Sequence, residues 1–326
     1  MHLHKAFSTA VMAVIAIGAS AACKDASAPD GGSPLTHPNG TIAARRDVGD
    51  RPYAVAIAPD GRMLVTMLDN AEVLSDVLPA TQFSNAMSAG NTPTDVWVDN
   101  AGDRGFIANQ FDDAIQVFNP KTGQTLSTVP VLGDPFSVVS DASGATIYVT
   151  TNRNALYKIG VATPSVSTSL ATDNATAQSL AFSPKSGLLY VSTRDGGTVM
   201  EVNTDAMSVV RRFAPGGRTQ EVAVTADGTQ LWVANETGFV TVVDLGTGAT
   251  STIATGGMPW GLAITPDQKQ VWVGSLSGGS VYVIDRASKA VVNSIGVGGI
   301  PRRIRFSPRG DEAIVANEAG FISVIN

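Results

Sequence analysis

The sequence predicts an all-β protein built from short antiparallel strands, and three observations support this prediction. Glycine and proline are frequent, with 33 and 17 residues respectively in a chain of 326. Apolar residues alternate in short runs between turn-forming residues, and few segments have the period of a helix. A unit of 40 to 42 residues also recurs along nearly the whole chain. A repeat of this length is typical of architectures that stack one supersecondary unit, so it organises the fold.

The clearest copy of the unit covers residues 221–255. A first alternating run around Val222 and Val224 is followed by a tight turn at Asp227. Two further apolar runs and a weaker fourth run follow, separated by turn residues such as Gly238. We therefore expect each unit to be a four-stranded antiparallel sheet joined by tight turns.

Seven copies of this unit can be counted. The steps between their first residues are 41, 42, 42, 42, 40 and 42, and the second strands agree in the same register. A single four-stranded unit cannot bury both its faces, whereas radial packing lets each unit cover its neighbours. This arithmetic predicts a seven-bladed β-propeller of four-stranded antiparallel blades. The units begin at Pro52, Pro93, Pro135, Ala177, Thr219, Pro259 and Pro301.

The consensus of the units resembles a known repeat. Its pattern is Pro-x-x-(Val/Ile)-Ala-(Ile/Val)-(Ser/Thr)-Pro-Asp-Gly, followed by Tyr/Trp-Val-(Thr/Ala)-Asn, and residues 148–152 read YVTTN. This resembles the YVTN repeat family of β-propellers and covers residues 41–326. Unit 1 departs from the pattern because it lacks the aromatic and the Asn, and unit 4 has Lys185 in its turn. The resemblance implies a propeller among exported and surface-layer proteins.

The last unit has only three predicted strands, since the sequence ends just after the run 321–325. Residues 41–48 precede the first unit and have no partner within it. We expect this N-terminal segment to supply the outer strand of the last blade, which closes the ring and covers a strand edge.

The first residues predict export. Lys5 precedes an apolar run over 10–17 that is too short to span a bilayer, and Ser20 begins a small-residue cleavage context. Residues 1–22 are therefore interpreted as a signal peptide. Residues 23–40 are rich in Pro, Gly, Ser and Asp and are expected to be a flexible tether.

Cys23 is the only cysteine of the chain and follows that cleavage context directly. Ser20-Ala21-Ala22-Cys23 resembles the lipobox of bacterial lipoproteins, which implies a lipidated N-terminus at Cys23. Lys24 at the next position implies the outer membrane, by resemblance to the same class. The alternative is an ordinary signal peptide cleaved near Ala21 or Ala22. Either reading places the protein in the periplasm or at the cell surface.

Composition excludes several classes of function. The net charge is −6 and no long basic run is present, so no nucleic-acid partner is expected. His2, His4 and His37 fall in the signal peptide and tether, which leaves the propeller without imidazole. Serine–histidine and cysteine–histidine catalytic schemes and histidine metal sites are therefore not expected. We expect no cofactor, no metal and no catalytic residue.

Ligands of a propeller are expected at a mouth of the central channel, where loops on a rigid scaffold meet. Aligning the seven units gives two variable columns just after the first residue, and these supply three aromatics, two acids and adjacent arginines. The alternative interpretation is that they are ordinary loop residues around a water-filled channel. The candidates for ligand binding are Tyr53, Asp95, Phe136, Gln178, Glu221, Trp260, Arg302, Arg303 and Arg305.

Two residues stand out in the middle of the first strands. This column otherwise holds small residues such as Ala56, but it contains Trp97 and Arg305. Arg303 and Arg305 are two apart and should point the same way. An arginine cluster could hold a carboxylate or phosphate bidentately, or Arg303 could simply balance acids of the channel, namely Asp95 and Glu221. The other arginines expected nearby are Arg45, Arg46, Arg51 and Arg302.

These features predict a monomeric, non-catalytic scaffold that binds an unknown small molecule or protein and contacts the membrane only through its lipid anchor. The alternative is a lactonase-like hydrolase that uses carboxylates, with or without a divalent metal. A subunit of a redox complex is a third option, but no cofactor motif supports it.

Overall fold

A computed structural model gives the structure of the protein over residues 34–78, 83, 85–172 and 175–326. The predicted signal peptide, Cys23 and most of the predicted tether lie outside these residues. Within them, no helix has the length and apolar character needed to cross a membrane. Residues Leu35–Asn326 form one compact unit, which is described below.

The described residues form 28 strands and one short 3₁₀ helix, Gln110–Asp112. In chain order the strands are β1 (Ile42–Asp47), β2 (Pro52–Ile57), β3 (Arg62–Met67), β4 (Glu72–Val77), β5 (Asn85–Ser88), β6 (Pro93–Val98), β7 (Gly105–Asn109), β8 (Ala114–Phe118), β9 (Thr125–Pro130), β10 (Pro135–Ser140), β11 (Thr146–Thr151), β12 (Ala155–Gly160), β13 (Ser165–Ala171), β14 (Ala177–Phe182), β15 (Leu188–Thr193), β16 (Thr198–Asn203), β17 (Ser208–Phe213), β18 (Thr219–Val224), β19 (Gln230–Asn235), β20 (Phe239–Asp244), β21 (Thr250–Ala254), β22 (Pro259–Ile264), β23 (Gln270–Ser275), β24 (Ser280–Asp285), β25 (Ala290–Gly296), β26 (Pro301–Phe306), β27 (Ala313–Asn317) and β28 (Phe321–Ile325).

The strands form seven four-stranded antiparallel sheets, which confirms the predicted blades. Blades 1 to 6 are consecutive meanders from β2–β5 through β22–β25, and blade 7 has the order β1-β28-β27-β26. The N-terminal strand therefore completes the last blade, with Arg46 opposite Ile322 and Asp47 opposite Phe321. Each first strand contacts the first strand of the next blade, and β2 contacts β26, so the ring is closed.

Each first strand is irregular at its start. In blade 6, Pro259 pairs with Ser275, but the regular ladder resumes only at Leu262, opposite Val273. The same kind of register shift occurs near the start of every first strand. A β-bulge redirects side chains away from the regular alternation. The two variable sequence columns coincide with these bulges.

The hydrophobic core lies between neighbouring blades. One cluster, for example, joins Tyr190 and Val199 of blade 4 to Leu231 and Val233 of blade 5. The second strand of each blade is almost wholly buried, because both its faces are covered by adjacent blades. Seven such clusters form the core over the described residues, as close packing of stacked sheets requires.

The recurring Asn at the end of the second strand joins two loops. Asn317 Oδ1 accepts hydrogen bonds from the backbone N–H of Ile300 at 2.7 Å and of Ala319 at 3.1 Å. Its amide nitrogen donates to the carbonyl of Gly298 at 2.8 Å. Asn235 binds the preceding loop in the same way through the backbone N–H of Arg218. In blades 5 and 7 this amide therefore fastens the loop that enters the blade.

His37 of the predicted tether lies against the propeller, so an imidazole contacts the propeller although residues 41–326 contain no histidine. Its Nδ1 lies 2.7 Å from Oδ2 of Asp267, in the first turn of blade 6. The backbone N–H of Thr36 also donates to the carbonyl of Arg309 at 3.0 Å. The sequence pattern missed this contact because Asp267 satisfies the rules of a turn residue without it. Residues 36–40 thus form a strap over the turns of blades 6 and 7.

The strap predicts a pH-dependent contribution to stability. Burial alone would raise the pKa of Asp267, but hydrogen bonds from His37 and Thr265 outweigh it and hold the pKa below its usual 3.8. A carboxyl group with a lowered pKa stabilises the fold above its unfolded pKa and loses this effect as the pH falls. Asp267→Asn should therefore lower the free energy of unfolding by about 1–2 kcal/mol at pH 7.

Urea unfolding between pH 7 and pH 3 tests this prediction. The difference between the wild type and Asp267→Asn should shrink as the pH falls below about 4. His37→Ala serves as the companion variant, because it removes the strap contact and leaves the turn intact. A constant difference across this pH range would show that the carboxylate charge contributes nothing.

Candidate functional site in the central channel

The upper mouth is the end of the channel at which the chain enters each first strand, and side chains fill it. The rings of Tyr53 and Phe136 meet edge to face, with centroids 6.3 Å apart and an interplanar angle of 86°. The guanidinium carbon of Arg302 lies 4.3 Å from the ring centroid of Trp260 and 5.2 Å from that of Tyr53. Burial raises the pKa of the Tyr53 phenol. These four predicted candidates do converge, but they pack against each other.

Ion pairs surround this mouth. Arg194 Nη2 lies 2.9 Å from Oε1 of Glu236, and Arg218 Nη1 lies 3.0 Å from Oε2 of the same residue. On blade 7, Arg302 Nε lies 2.9 Å from Oε1 of Glu318. Both glutamates are buried. These arginines of the upper mouth are therefore already partnered, and Arg194 connects blade 4 to blade 5.

The centre of the channel holds a buried charge cluster. Glu221 Oε1 accepts hydrogen bonds from Arg303 Nη1 at 2.7 Å and Arg305 Nη1 at 3.0 Å. Its Oε2 accepts from the backbone N–H of Leu262 at 2.8 Å. Burial alone would raise the pKa of Glu221, but Arg303 and Arg305 outweigh burial and hold the pKa below its usual range. The two arginines point the same way, as their spacing predicts.

A glycine lets this cluster form across three blades. Glu221 belongs to blade 5 and Arg303 to blade 7, with Gly261 of blade 6 between them. A Cβ atom on Gly261 would lie 1.7 Å from the carbonyl oxygen of Arg302. Because a side chain cannot fit there, Gly261 sets how closely the backbones of blades 6 and 7 approach.

Asp95 occupies the position equivalent to Glu221 and makes an equivalent contact. Its Oδ2 accepts from Ser137 Oγ at 2.6 Å and from the backbone N–H of Val138 at 3.0 Å. Both acids thus bind a backbone N–H beside the bulge of the next blade. Gln178 is also buried and donates to Asn152 Oδ1 at 3.2 Å. All three predicted candidates have partners inside the protein.

The six arginines expected to cluster fall into separate groups. Arg51 and Arg302 share Glu318, and Arg303 and Arg305 share Glu221. The guanidinium carbon of Arg45 lies 3.5 Å from the ring centroid of Phe321, on the outer side of blade 7. Arg51 is half-exposed and lies 3.3 Å from Asp69. Arg303, in contrast, is buried in the channel. The six arginines therefore do not form one cluster, because β1 is the outermost strand of blade 7 and β26 its innermost. Anion binding by an arginine stays a prediction.

The lower mouth is the opposite end, beside the turns between first and second strands, and a cavity of about 210 Å³ opens there. Ala56 of blade 1 lies between Trp97 of blade 2 and Arg305 of blade 7. These are the two residues that break the small-residue column. The remaining residues around the cavity are Ile57, Pro59, Val98, Asp99, Asn100 and Phe306.

Sequence reasoning missed several residues of both mouths. Phe306, Asp99 and Asn100 were not in the aligned columns, since they lie at or beyond the end of a first strand. Glu236 and Glu318 follow the recurring Asn directly. The residues at that position are Leu68, Gln110, Asn152, Arg194, Glu236, Leu276 and Glu318. The two acids and the arginine in this column are the signal that could have indicated the ion pairs of the upper mouth.

No group of three or more His, Cys, Asp or Glu side chains among the described residues lies close enough to hold a metal ion. No family model matches the chain, and no curated protein matches it. Among solved structures, the chain is similar to Kuenenia stuttgartiensis Hydrazine Synthase, with a TM-score of 0.79 and 17% sequence identity. The match covers 92% of this chain and 99% of that chain. At this identity the likeness shows the fold alone, which is a seven-bladed β-propeller.

Proposed function

We propose that the protein is an exported, YVTN-like β-propeller that binds a small molecule without catalysis at the lower mouth of its channel. One observation carries this proposal. The cavity of about 210 Å³ opens where a tryptophan and an arginine replace small residues of the repeat. The acids of the channel centre hold arginine or backbone N–H groups, so they support a structural role better than a catalytic one.

The hydrolase alternative receives no comparable support. A metal-dependent lactonase needs several oxygen or nitrogen ligands close together, and Asp95 and Glu221 each have partners elsewhere. A metal-free hydrolase needs a general base within reach of a substrate. Both acids are buried in the channel wall and hydrogen-bonded.

A thermal-unfolding screen of the mature chain tests the binding proposal. Metals, sugars, organic acids and short peptides would be tested, because a ligand of the native state raises its apparent stability. A ligand at 100 times its Kd should raise the Tm by about 5 °C. Lactone and phosphate-ester hydrolysis would be measured on the same sample. Turnover above that of buffer would contradict a non-catalytic role.

Export is a separate proposal, and it rests on residues 1–23. The apolar run, the small-residue cleavage context and the single cysteine support a lipidated Cys23 in the outer membrane. Mass spectrometry of the mature protein should find an N-terminal Cys23 carrying acyl chains. Cys23→Ser should release the protein from the membrane fraction. An unmodified N-terminus at Ala22 or Cys23 would instead support the ordinary signal peptide.

A further inference from the structure

Arg305 lines the cavity of the lower mouth and has donors to spare. Arg305 uses Nη1 for its hydrogen bonds to Glu221 at 3.0 Å and to the carbonyl of Ile304 at 2.8 Å. Within the described part of the chain, its Nε and Nη2 make no hydrogen bond, and the side chain is 26% exposed. The Nε–Nη2 edge of arginine matches the geometry of a carboxylate and binds it bidentately. This wall of the cavity therefore favours a carboxylate.

The wall on blade 2 presents acceptors instead. Asp99 Oδ1 accepts from the backbone N–H of Asp103 at 2.9 Å and of Arg104 at 3.3 Å. Asn100 Nδ2 donates to the carbonyl of Ala142 at 3.0 Å, which leaves its Oδ1 as an acceptor. A ligand that places only negative charge here would be repelled by Asp99. This wall therefore favours a hydrogen-bond donor on the ligand.

Between these walls the cavity is apolar, and contacts to neighbouring residues fix its two aromatic side chains. Trp97 Nε1 donates to Ser140 Oγ at 3.0 Å, which fixes the indole. Phe306 packs edge to face on the buried Trp272, with centroids 5.4 Å apart. A dry cavity of about 150 Å³ can hold benzene, and this one has a volume of about 210 Å³. The space suits one aromatic ring with small substituents.

We propose that the lower mouth binds a one-ring aromatic carboxylate with a hydrogen-bond donor on the opposite side of the ring. The carboxylate lies on the free edge of Arg305. The ring lies over Ala56 and against Trp97, and the donor faces Asp99 and Asn100. This inference names the ligand class of the proposed binding function and depends on it.

The test compares three probes by isothermal titration: 4-hydroxybenzoate, benzoate and phenol. We expect 4-hydroxybenzoate to bind most tightly with one site per chain. Phenol lacks the charge-assisted pair and should bind about 10- to 100-fold more weakly. Tryptophan fluorescence gives a second readout, since Trp97 lines the cavity. Of the other tryptophans, Trp232 and Trp272 are fully buried and Trp260 lies at the upper mouth. The fluorescence change should be lost in Trp97→Phe.

Two variants and a matched control locate the site. Ala56→Leu fills the cavity without removing a polar contact and should abolish binding. Ala223→Leu makes the same change at the equivalent position of blade 5 and should leave binding unchanged. Arg305→Lys keeps a positive charge beside Glu221 but loses the planar guanidinium. It should therefore weaken the binding of 4-hydroxybenzoate by about tenfold. Circular dichroism and thermal unfolding confirm that each variant is folded.

The outcomes separate this inference from the proposed function. Equal binding of 4-hydroxybenzoate to the wild type, Ala56→Leu and Arg305→Lys would overturn the inference. If aromatic acids do not bind, but another compound from the thermal-unfolding screen binds the wild type and not Ala56→Leu, the proposed ligand class is wrong and the proposed binding function stands. If no small molecule stabilises the protein, both proposals fail.

Discussion

Replacing Glu221 with glutamine is expected to lower the free energy of unfolding by about 3–5 kcal/mol, because it leaves the buried charge of Arg303 and the partly buried charge of Arg305 without their anion. The side chains of Glu221 and Arg303 are only 5% and 3% exposed, so water cannot replace the lost partner. Glu221→Gln also weakens the acceptor of the Leu262 backbone N–H. Chemical denaturation at pH 7 measures the effect directly.

The double variant Glu221→Leu/Arg303→Met tests whether the contributions of Glu221 and Arg303 to stability are coupled. Removing both charges removes the buried uncompensated guanidinium and leaves only Arg305, whose side chain is 26% exposed. The double variant should therefore be more stable than Glu221→Leu alone. Asp195→Asn is the matched control, because it breaks the exposed pair with Arg218 and should cost about 0–1 kcal/mol. If Glu221→Gln lowers the free energy of unfolding no more than Asp195→Asn does, the charges of Glu221 and Arg303 are not coupled.

Acidification should reproduce part of this loss. The lowered pKa of Glu221 means that its carboxylate stabilises the fold above its unfolded pKa. This contribution is lost as the pH falls through the folded-state pKa. The difference between the wild type and Glu221→Gln should therefore narrow in acid, and a difference that widens would contradict the ion pair.

The sequence predicts the fold well because the repeat period and the alternation of apolar residues in the strands can be read directly from the order of the residues. The missing outer strand of the last blade predicts the role of residues 41–48. This prediction is confirmed, since β1 pairs with β28. The resemblance to the YVTN repeat stays a prediction, since only the propeller fold is shown.

The channel is harder to predict because its contacts join residues of different blades. Alignment places Tyr53, Phe136 and Trp260 in one column, but it does not say that they fill the upper mouth. Their packing depends on side-chain rotamers and on distances across the ring. Arg305 was predicted for its exceptional position, and it does line a cavity, although at the opposite mouth from Arg302. Column breaks are therefore a better signal than residue type for locating a cavity.

Deleting the closing strand is expected to destabilise the whole ring. Ala44 and Val48 pack against the cluster that contains Ile322 and Val324, and the guanidinium of Arg45 covers Phe321. Removing residues 1–48 would expose these side chains and leave β28 as a free edge. Re-exposing two buried apolar side chains at about 1.5–3 kcal/mol each gives a loss of about 3–6 kcal/mol. The exposed edge should also promote aggregation.

A truncation series separates the strand from the segments before it. Deleting residues 1–34 leaves the described strap intact and should not change the Tm. Deleting residues 1–40 removes His37 and its contact to Asp267. This deletion should lower the free energy of unfolding only by the contribution of the strap. Deleting residues 1–48 should then produce a much larger drop, together with loss of solubility. If deleting residues 1–48 destabilised the protein no more than deleting residues 1–40, packing between blades alone would hold the ring together. The N-terminal strand would then be dispensable for closure.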